Sequence, residues 1–235
     1  MTETRETPPN DVIIGLDLAQ TTDYTALSVA EVMTRPDGDP TYAVRALDRF
    51  RPLRYQLVVE RIAGMLPKLR EGSHVLSRDG RTFDYLRPTV TLVLDATGVG
   101  AAVADMFVEA DLDVDLQLVT IHAGGTVTQD PARGWRVPKR DLAGVVAVAL
   151  QNNRLEVADR LEHAATLKAE LKNFRARISA LGHTRYEAGA DDWRQEGGHD
   201  DLVLAVALSL WWGERPKPPG LDPTFDYAEA FSGIL

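Results

Sequence analysis

The sequence predicts an α/β fold built on a mixed β-sheet of five or more strands, with helices on both faces. Three strand-like segments follow one another at the N-terminus, which is typical of an antiparallel meander. Strand, helix and strand patterns then alternate over residues 89–121, as in a parallel crossover. The first strand and the last helix are apolar almost throughout, so we expect both in the buried centre of the sheet.

The predicted meander spans residues 11–50. Its first strand, residues 11–19, is a nearly continuous apolar run, which indicates a central strand covered on both faces. A polar turn leads to a second strand over residues 24–33. Pro and Gly in residues 34–40 mark another turn before a third strand over residues 41–50. The meander therefore supplies one half of the sheet.

The remaining elements are read from hydrophobic periodicity and from turn residues. Helical spacing of apolar residues predicts helices over residues 53–69, 101–110, 138–152, 161–173 and 200–212. Further strands are predicted over residues 89–95 and 113–121. Alternation around a central Gly-His predicts an added β-hairpin over residues 174–188. The Gly-rich residues 122–134 are predicted to be a loop, and residues 72–87 an irregular excursion.

With 44% hydrophobic residues in the 235-residue chain, the composition indicates a hydrophobic core of ordinary size, and we expect one domain over residues 11–213. Residues 1–10 are expected to be a disordered lead-in and residues 214–235 a tail or linker. Cysteine is absent, which excludes a disulfide, a thiolate metal site and a cysteine nucleophile. The polar N-terminus is unlike a signal peptide, and we expect no membrane segment.

Charge and motifs narrow the function classes. The formal net charge of −9 is unlike that of a general nucleic-acid-binding protein, which is usually basic. The sequence contains no GxxxxGK[ST] phosphate loop. Any contact with nucleic acid must therefore depend on local clusters of basic residues rather than on overall charge.

Asp17 is the least expected residue of the first strand, because its neighbours Ile14, Leu16 and Leu18 are apolar. A buried ionised carboxylate costs several kcal/mol unless it is compensated. A buried Arg or Lys, or a turn amide, could compensate it. A divalent cation held together with other acids could do so as well.

Two further positions bear on this choice. Asp95 ends a later strand, and Asp200 and Asp201 open the last helix. If the first and fourth strands are parallel neighbours, Asp17 and Asp95 face one crevice. Each acid also has an ordinary interpretation: Asp95 as a turn residue, and Asp200 and Asp201 as helix-capping or dipole partners. Asp23 could likewise stabilise a turn.

A two-metal site would explain the three main positions together. Clustered carboxylates without cations repel one another, which raises their pKa values. Mg²⁺ prefers carboxylate and water oxygens. Two such ions about 4 Å apart suit in-line attack on a phosphodiester. The acids therefore favour a phosphodiester-cleaving enzyme.

Four segments together resemble the nuclease domain of the large terminase subunit of tailed bacteriophages. They are GLDLAQTTDYTAL, VLDATGVG, VPKRDL and GHDDLVLAVALSL, and the resemblance covers most of residues 11–213. It implies an RNase H-like fold and endonucleolytic cutting of double-stranded DNA during genome packaging. It further implies Asp17, Asp95 and Asp201 as catalytic metal ligands, Asp200 and Asp23 as accessory ligands, and two Mg²⁺ or Mn²⁺ ions. Whether Asp200 or Asp201 is the direct ligand stays open.

The same resemblance implies partners and a location. In the family an ATPase motor precedes the nuclease, and that motor is missing from this sequence. We therefore expect a separate or fused motor, together with a small terminase subunit and a portal, in the cytoplasm of an infected bacterial host. The resemblance implies neither secretion nor a membrane partner.

Two clusters of basic residues are candidate DNA contacts, or else solvated basic surfaces. The first lies around residues 133–140 and the second around the predicted hairpin. Phosphate contacts from such clusters would be independent of DNA sequence and sensitive to salt. The predicted DNA-binding residues are Arg136, Lys139, Arg140, Lys172, Arg175, Arg177 and Arg185.

Three alternatives remain at the level of sequence. A Holliday-junction resolvase on the same fold would prefer four-way junctions. A sugar kinase or actin-like ATPase would use GLDLAQTT as a phosphate-binding turn, although Ala19 replaces the usual glycine there. A non-catalytic DNA-docking module would keep the acids for structural reasons alone.

Overall fold

The computed structural model describes residues 10–18, 24–34, 38–51, 54–70, 88–98, 101–131, 133–181 and 200–215, with only the backbone described at 101 and 173–181. The strands are β1 (Asp11–Asp17), β2 (Thr25–Thr34), β3 (Pro40–Phe50), β4 (Val90–Asp95), β5 (Asp115–His122), β6 (Thr128–Asp130), β7 (Gly134–Pro138) and β8 (Leu155–Val157). The helices are α1 (Tyr55–Arg70), α2 (Ala101–Glu109), α3 (Lys139–Gln151), α4 (Ala164–Leu181) and α5 (Asp201–Gly213).

All eight strands belong to one mixed sheet, in the order β6-β7-β5-β4-β1-β2-β3-β8. β1, β2 and β3 pair antiparallel, as the predicted meander requires. β4 pairs parallel with β1 and with β5, and β7 pairs parallel with β5. The parallel pairing of the first and fourth strands puts their carboxyl ends side by side at one edge of the sheet.

Helices cover both faces of this sheet. On one face α3, α4 and α5 pack on Ile13 of β1 and Val93 of β4. On the other face α1 and α2 pack on Ile14 and Leu92 of the same two strands. Because side chains alternate along a strand, the two clusters use alternate residues of β1 and β4. This arrangement confirms the predicted α/β architecture, a mixed sheet of five or more strands with helices on both faces.

α5 is the central helix of its face. All residues from 202 to 211 are buried, as its apolar sequence predicts. At its C-terminal end, Gly213 lies against Tyr42 of β3. Tyr42 is level with Asp11, the first residue of β1, across the intervening strand β2, so the helix ends near the start of β1. α5 therefore runs antiparallel to β1, and its N-terminus lies at the edge where β1 and β4 end.

Gly15 lets α5 approach β1 unusually closely. A Cβ at this position would overlap the carbonyl oxygen of Ala205 and lie 2.6 Å from the Ser209 hydroxyl. The hydroxyl of Ser28 donates to the same Ala205 carbonyl at 3.0 Å, which fixes the helix over the strand pair. The contact sets the distance between the acids of the sheet and those of the helix.

We expect Gly15→Ala to lower the free energy of unfolding by about 1–3 kcal/mol, because overpacking of a tight core forces the backbone to shift. Gly144→Ala is a matched control, because its added methyl group meets no neighbouring atom in α3. That control should gain about 0.5–1 kcal/mol from helix propensity. Urea titration of both variants measures the difference, and equal stability would contradict the close packing.

The β-hairpin predicted over residues 174–188 is wrong where the structure describes that segment. α4 continues as a helix to Leu181. The sequence FRARISAL alternates in polarity, but it is also rich in good helix formers and contains no Gly or Pro before Gly182. Tertiary packing of α4 on α5 favours the helix. Residues 182–188 lie outside the described part of the chain.

An added hairpin exists elsewhere, in the Gly-rich segment predicted to be a loop. β6 and β7 pair antiparallel, and Gly134 at the start of β7 has a φ of +79° and lies against Leu118. The three-residue strand β8, which pairs parallel with β3, was not predicted either. Both elements extend the sheet at its edges and leave its centre unchanged.

The ends of the predicted domain are described only in part. Residues 1–9 and 216–235 lie outside the described residues, whereas Glu214 and Arg215 contact the domain. The Glu214 carboxylate accepts hydrogen bonds from the Tyr42 hydroxyl at 2.9 Å and from Arg154 at 2.5 Å. Arg215 lies 3.6 Å from the ring centroid of Trp135. Within the described helices, none has the length and apolar character that crossing a membrane would need.

Candidate active site

Asp17 and Asp95 are neighbours across two parallel strands. β1 and β4 are paired up to Leu16 and Leu94, and each acid is the next residue of its strand. They share a strand face with Ile13 and Val93, the face that α5 covers. Both are buried, with 8% and 3% of their surface exposed. The structure thus brings together two carboxylates that the sequence places 78 positions apart.

The turn after β4 fixes the Asp95 carboxylate. Its Oδ1 accepts a hydrogen bond from the backbone N–H of Thr97 at 2.8 Å. The Thr97 hydroxyl in turn accepts from the N–H of Ile121 at 2.7 Å, and Gly98 completes the turn with a φ of +75°. The turn interpretation of Asp95 is therefore observed. It orients one carboxylate oxygen and is compatible with a second role for the group.

The first turn of α5 lies level with these two acids. Ala205 lies over Gly15, and from there the strand rises about 7 Å to Asp17. In the opposite chain direction the helix rises about 6 Å from Ala205 to Asp201. Asp200 is 9% exposed and Asp201 is largely buried. The sheet and the helix thus deliver their acids to the same edge of the fold.

Glu170 of α4, rather than Asp200, caps α5. The Asp200 side chain makes no capping hydrogen bond although it occupies the N-cap position. Oε2 of Glu170 accepts hydrogen bonds from the N–H groups of Leu202 and Val203, both at 3.1 Å. These are the two amides that an N-cap side chain normally satisfies. Asp200 therefore occupies the N-cap position, as the capping interpretation states, but its side chain does not cap the helix.

Glu170 has an unusual electrostatic environment. Burial raises the pKa of its carboxyl to about 7, and nearby Asp201 and Asp200 raise it further, against the lowering effects of the Val203 amide and Arg49. Its Oε1 is buried and makes no hydrogen bond with any described residue. The fold thus keeps a further buried acid close to Asp200 and Asp201 of α5.

We expect Glu170 to make stability fall as the pH rises from about 4.5 to about 7. In that window the folded protein keeps the proton and the unfolded chain has lost it, so folding takes up a proton. At about 1.36 kcal/mol per pKa unit, the change should be on the order of 1–3 kcal/mol. Glu170→Gln keeps an acceptor oxygen for the two amides but cannot titrate.

Urea unfolding in EDTA across this pH range tests the expectation. Glu170→Gln should flatten the profile relative to the wild type. Glu60→Gln, at an exposed position of α1, is the matched control and should leave the profile unchanged. Parallel profiles for the wild type and Glu170→Gln would contradict the assignment.

Arg49 of β3 forms an ion pair with Asp201, at the start of α5. Its Nη2 and Nε donate to Oδ2 of Asp201 at 2.9 and 3.3 Å. Only 14% of the Arg49 side chain and 13% of the Asp201 side chain are exposed. The pair is therefore largely shielded from water, and Asp201 is held by the protein's own cation.

The donor chemistry of these acids fits a hard divalent cation, because every candidate ligand is a carboxylate. The complete centre is not assembled in the described part of the chain, where no group of three or more His, Asp or Glu side chains is arranged to hold a metal ion. Asp17 and Asp95 adjoin, whereas Asp201 is turned to Arg49. Asp23 lies outside the described residues.

The first predicted cluster of basic residues is divided by the sheet. Lys139 and Arg140 begin α3 at the carboxyl end of β7, so they lie on the same sheet edge as Asp95. Arg140 contacts the carbonyl oxygen of Gly125 and the Asp141 carboxylate. Arg136 is exposed but alternates with Trp135 and Val137, which places it on the opposite face from the acids.

The second cluster is described only at Lys168 and Lys172, both on α4. Lys168 pairs with Asp159, and Lys172 is exposed. The backbone at Arg175 and Arg177 is helical, but their side chains lie outside the described part, as does Arg185 entirely. Phosphate contact by these residues stays a prediction.

Sequence reasoning missed Glu170 and Arg49, although each carried a signal. Glu170 lies on the same helical stripe as Ala164, Leu167 and Leu171, which face the core. Arg49 is two residues after buried Leu47, so strand alternation puts it on the covered face. A charged residue on an otherwise buried face requires a partner, and both partners lie at the start of α5.

Comparison with known proteins gives similarity of fold. No family model and no curated protein matches the chain. The human cytomegalovirus terminase nuclease domain, soaked with Mn, aligns with a TM-score of 0.46 and 14% identity over 88% of this chain and 85% of that one. Thermus thermophilus RuvC aligns with a TM-score of 0.40 and 11% identity, over 85% of this chain and 91% of RuvC. Both TM-scores are below 0.5, so neither similarity carries an inference about activity.

Proposed function

We propose that this protein is a metal-dependent endonuclease that hydrolyses phosphodiester bonds of double-stranded DNA, as in viral genome packaging. The observation that carries the proposal is the position of buried Asp17 and Asp95, each the next residue after the last paired residues of two adjacent parallel strands. The N-terminus of α5 brings Asp200 and Asp201 to the same edge. Such a concentration of carboxylates is stable at neutral pH when cations neutralise it.

In this proposal Asp17, Asp95 and Asp201 hold two Mg²⁺ or Mn²⁺ ions, with Asp200 and Asp23 as accessory ligands. When bound, these ions lower the pKa of water and neutralise charge on phosphate oxygens. The protein's own part is positional. The Thr97 amide orients Asp95, and Glu170 fixes the start of α5.

Basic residues around the edge supply the contacts to DNA. Lys139 and Arg140 lie along the sheet edge from Asp95, and Lys172 is exposed on the helix that packs against α5. Contacts to phosphates from such residues position a duplex without reading its sequence. Arg175, Arg177 and Arg185 extend this surface in the proposal, and Arg136 contributes from the opposite face of the hairpin.

The finer proposal is the terminase reaction itself, which rests on the four sequence segments described above. Under it the partners are double-stranded DNA, an ATPase motor, a small terminase subunit and a portal. The place of action is the cytoplasm of an infected bacterial cell. The motor supplies ATP-driven movement of DNA, and this chain supplies the cut.

Supercoiled plasmid provides the test of the proposed activity. Incubation with Mn²⁺ or Mg²⁺ should give nicked and linear products, and EDTA should abolish them. A labelled linear duplex and a synthetic four-way junction of equal length are compared alongside. Cleavage of the four-way junction alone would contradict a packaging nuclease and favour a junction resolvase. Cleavage that is unaffected by EDTA would contradict metal dependence.

A further inference from the structure

Arg49 occupies a position that links the sheet acids to the helical acid. Asp17 of β1 pairs with Ala26 of β2, and Ala26 pairs with Arg49 of β3, so the three lie in one row across the sheet. From the end of this row the guanidinium reaches Asp201, with Nη2 and Nε donating to the same oxygen, Oδ2. The interaction therefore orients the Asp201 carboxylate as well as neutralising it.

The Arg49 guanidinium has a second contact. Its Cζ lies 4.1 Å from the ring centroid of Tyr24, the residue before β2. A cation over an aromatic face is attracted by the ring electrons. Arg49 is consequently held by two independent partners, and release from Asp201 would leave it stacked on Tyr24 beside the site.

The charges make Arg49 and a metal ion competitors for Asp201. A divalent ion bound to this carboxylate would lie about 5 Å from the guanidinium, and the two positive charges would repel each other. Even with the full dielectric screening of water, that repulsion corresponds to roughly a tenfold change in affinity. The Asp201 carboxylate thus cannot serve both cations equally well.

We propose that Arg49 is a positioning residue that holds Asp201 in the metal-free protein, and that Asp201 joins the metal centre by exchanging Arg49 for a divalent cation. The inference rests on the proposed function, because it assigns Asp201 to that centre. It accounts for the ion pair that Asp201 makes with Arg49 in the metal-free protein. It also makes assembly of the full centre depend on the breaking of one described ion pair.

The test is Mn²⁺ affinity without DNA, measured by the electron paramagnetic resonance signal of free Mn²⁺. Arg49→Gln should bind Mn²⁺ roughly tenfold more tightly than the wild type, because a repelling charge has gone. Its melting temperature in EDTA should be lower, because the Arg49–Asp201 ion pair is lost. Arg49→Lys keeps the charge and should stay within roughly twofold of the wild type.

Two controls separate the exchange from a general structural effect. Arg45→Gln removes a cation from the same strand, where Arg45 pairs with Glu31 at 2.6 Å (Nε to Oε2), and should leave Mn²⁺ affinity unchanged. In an Asp201→Asn background, Arg49→Gln should change affinity by less than roughly twofold, since the residue that couples them is gone.

Unchanged or weaker Mn²⁺ binding by Arg49→Gln would overturn the exchange. Suppose that Arg49→Gln gives this result while the wild type binds Mn²⁺ and Asp17→Asn does not. Then only the role of Arg49 is overturned, and the metal site at Asp17 stands. If the wild type does not bind Mn²⁺ at all, the proposed function fails with it. The two failures are therefore distinguishable in one set of titrations.

Discussion

Asp17→Asn is expected to lower metal-dependent DNA cleavage at least about 100-fold, more than the 10–100-fold typical when a residue behind a metal ligand is changed. The carboxylate lies at the end of a buried strand, adjacent to Asp95, and Asn has nearly the same size. The substitution removes the negative charge and leaves the packing of β1 intact. Plasmid nicking by purified wild type and variant in Mn²⁺ measures the loss.

Asp11→Asn is the matched control for this experiment. Asp11 lies at the opposite end of the same strand, level with Val32 of β2 and six residues from Asp17. The same chemical change there should leave cleavage unchanged. Circular dichroism melting should establish that both variants fold. Full activity of Asp17→Asn, with a wild-type melting curve, would contradict the assignment of Asp17 to the reaction.

Mn²⁺ is expected to raise the melting temperature of the wild type by about 5–10 °C at roughly 100 times its dissociation constant. A ligand at that concentration contributes about 2.7 kcal/mol, and each kcal/mol shifts the midpoint of a chain of this size by about 2–4 °C. Asp95→Asn should remove most of this rise. Differential scanning calorimetry with a Mn²⁺ series measures both proteins.

In the metal-free protein, the same substitution should not lower the melting temperature. In EDTA, Asp95→Asn relieves the repulsion between two buried carboxylates, and the Asn side-chain oxygen can still accept from the Thr97 amide. Its melting temperature should therefore equal or exceed that of the wild type. Asp115→Asn, at an exposed position of the neighbouring strand β5, should follow the wild type in both conditions. A full Mn²⁺ response in Asp95→Asn would contradict metal binding at this residue.

The centre of the fold was predictable from sequence because its signals are local and strong. The apolar run around Asp17, the β-branched strand that ends at Asp95 and the apolar helix after Asp200 each appear in the structure within one or two residues. The extension of α4 was mistaken for a hairpin, because an alternating pattern of eight residues is compatible with both structures. The short strands β6 and β8 exist through pairing with distant strands, which no local pattern records.

The sequence indicated the acids of the candidate site, but it did not indicate Glu170 and Arg49, which contact the start of α5. Asp17, Asp95 and Asp201 stand out because a carboxylate in or beside an apolar element is costly. Glu170 and Arg49 act on α5 from 32 and 152 positions away in the chain. Their partners follow from how α4 and β3 pack against α5, which is information that a single sequence does not carry.

Diffraction from crystals soaked in Mn²⁺, recorded at a wavelength where manganese scatters anomalously, would locate bound ions at this sheet edge. We expect an anomalous peak between the carboxylates of Asp17 and Asp95, with a second peak about 4 Å from the first on the side of Asp201. An anomalous map with no peak at this edge, and with Asp17 and Asp95 each bonded to protein cations, would contradict this expectation.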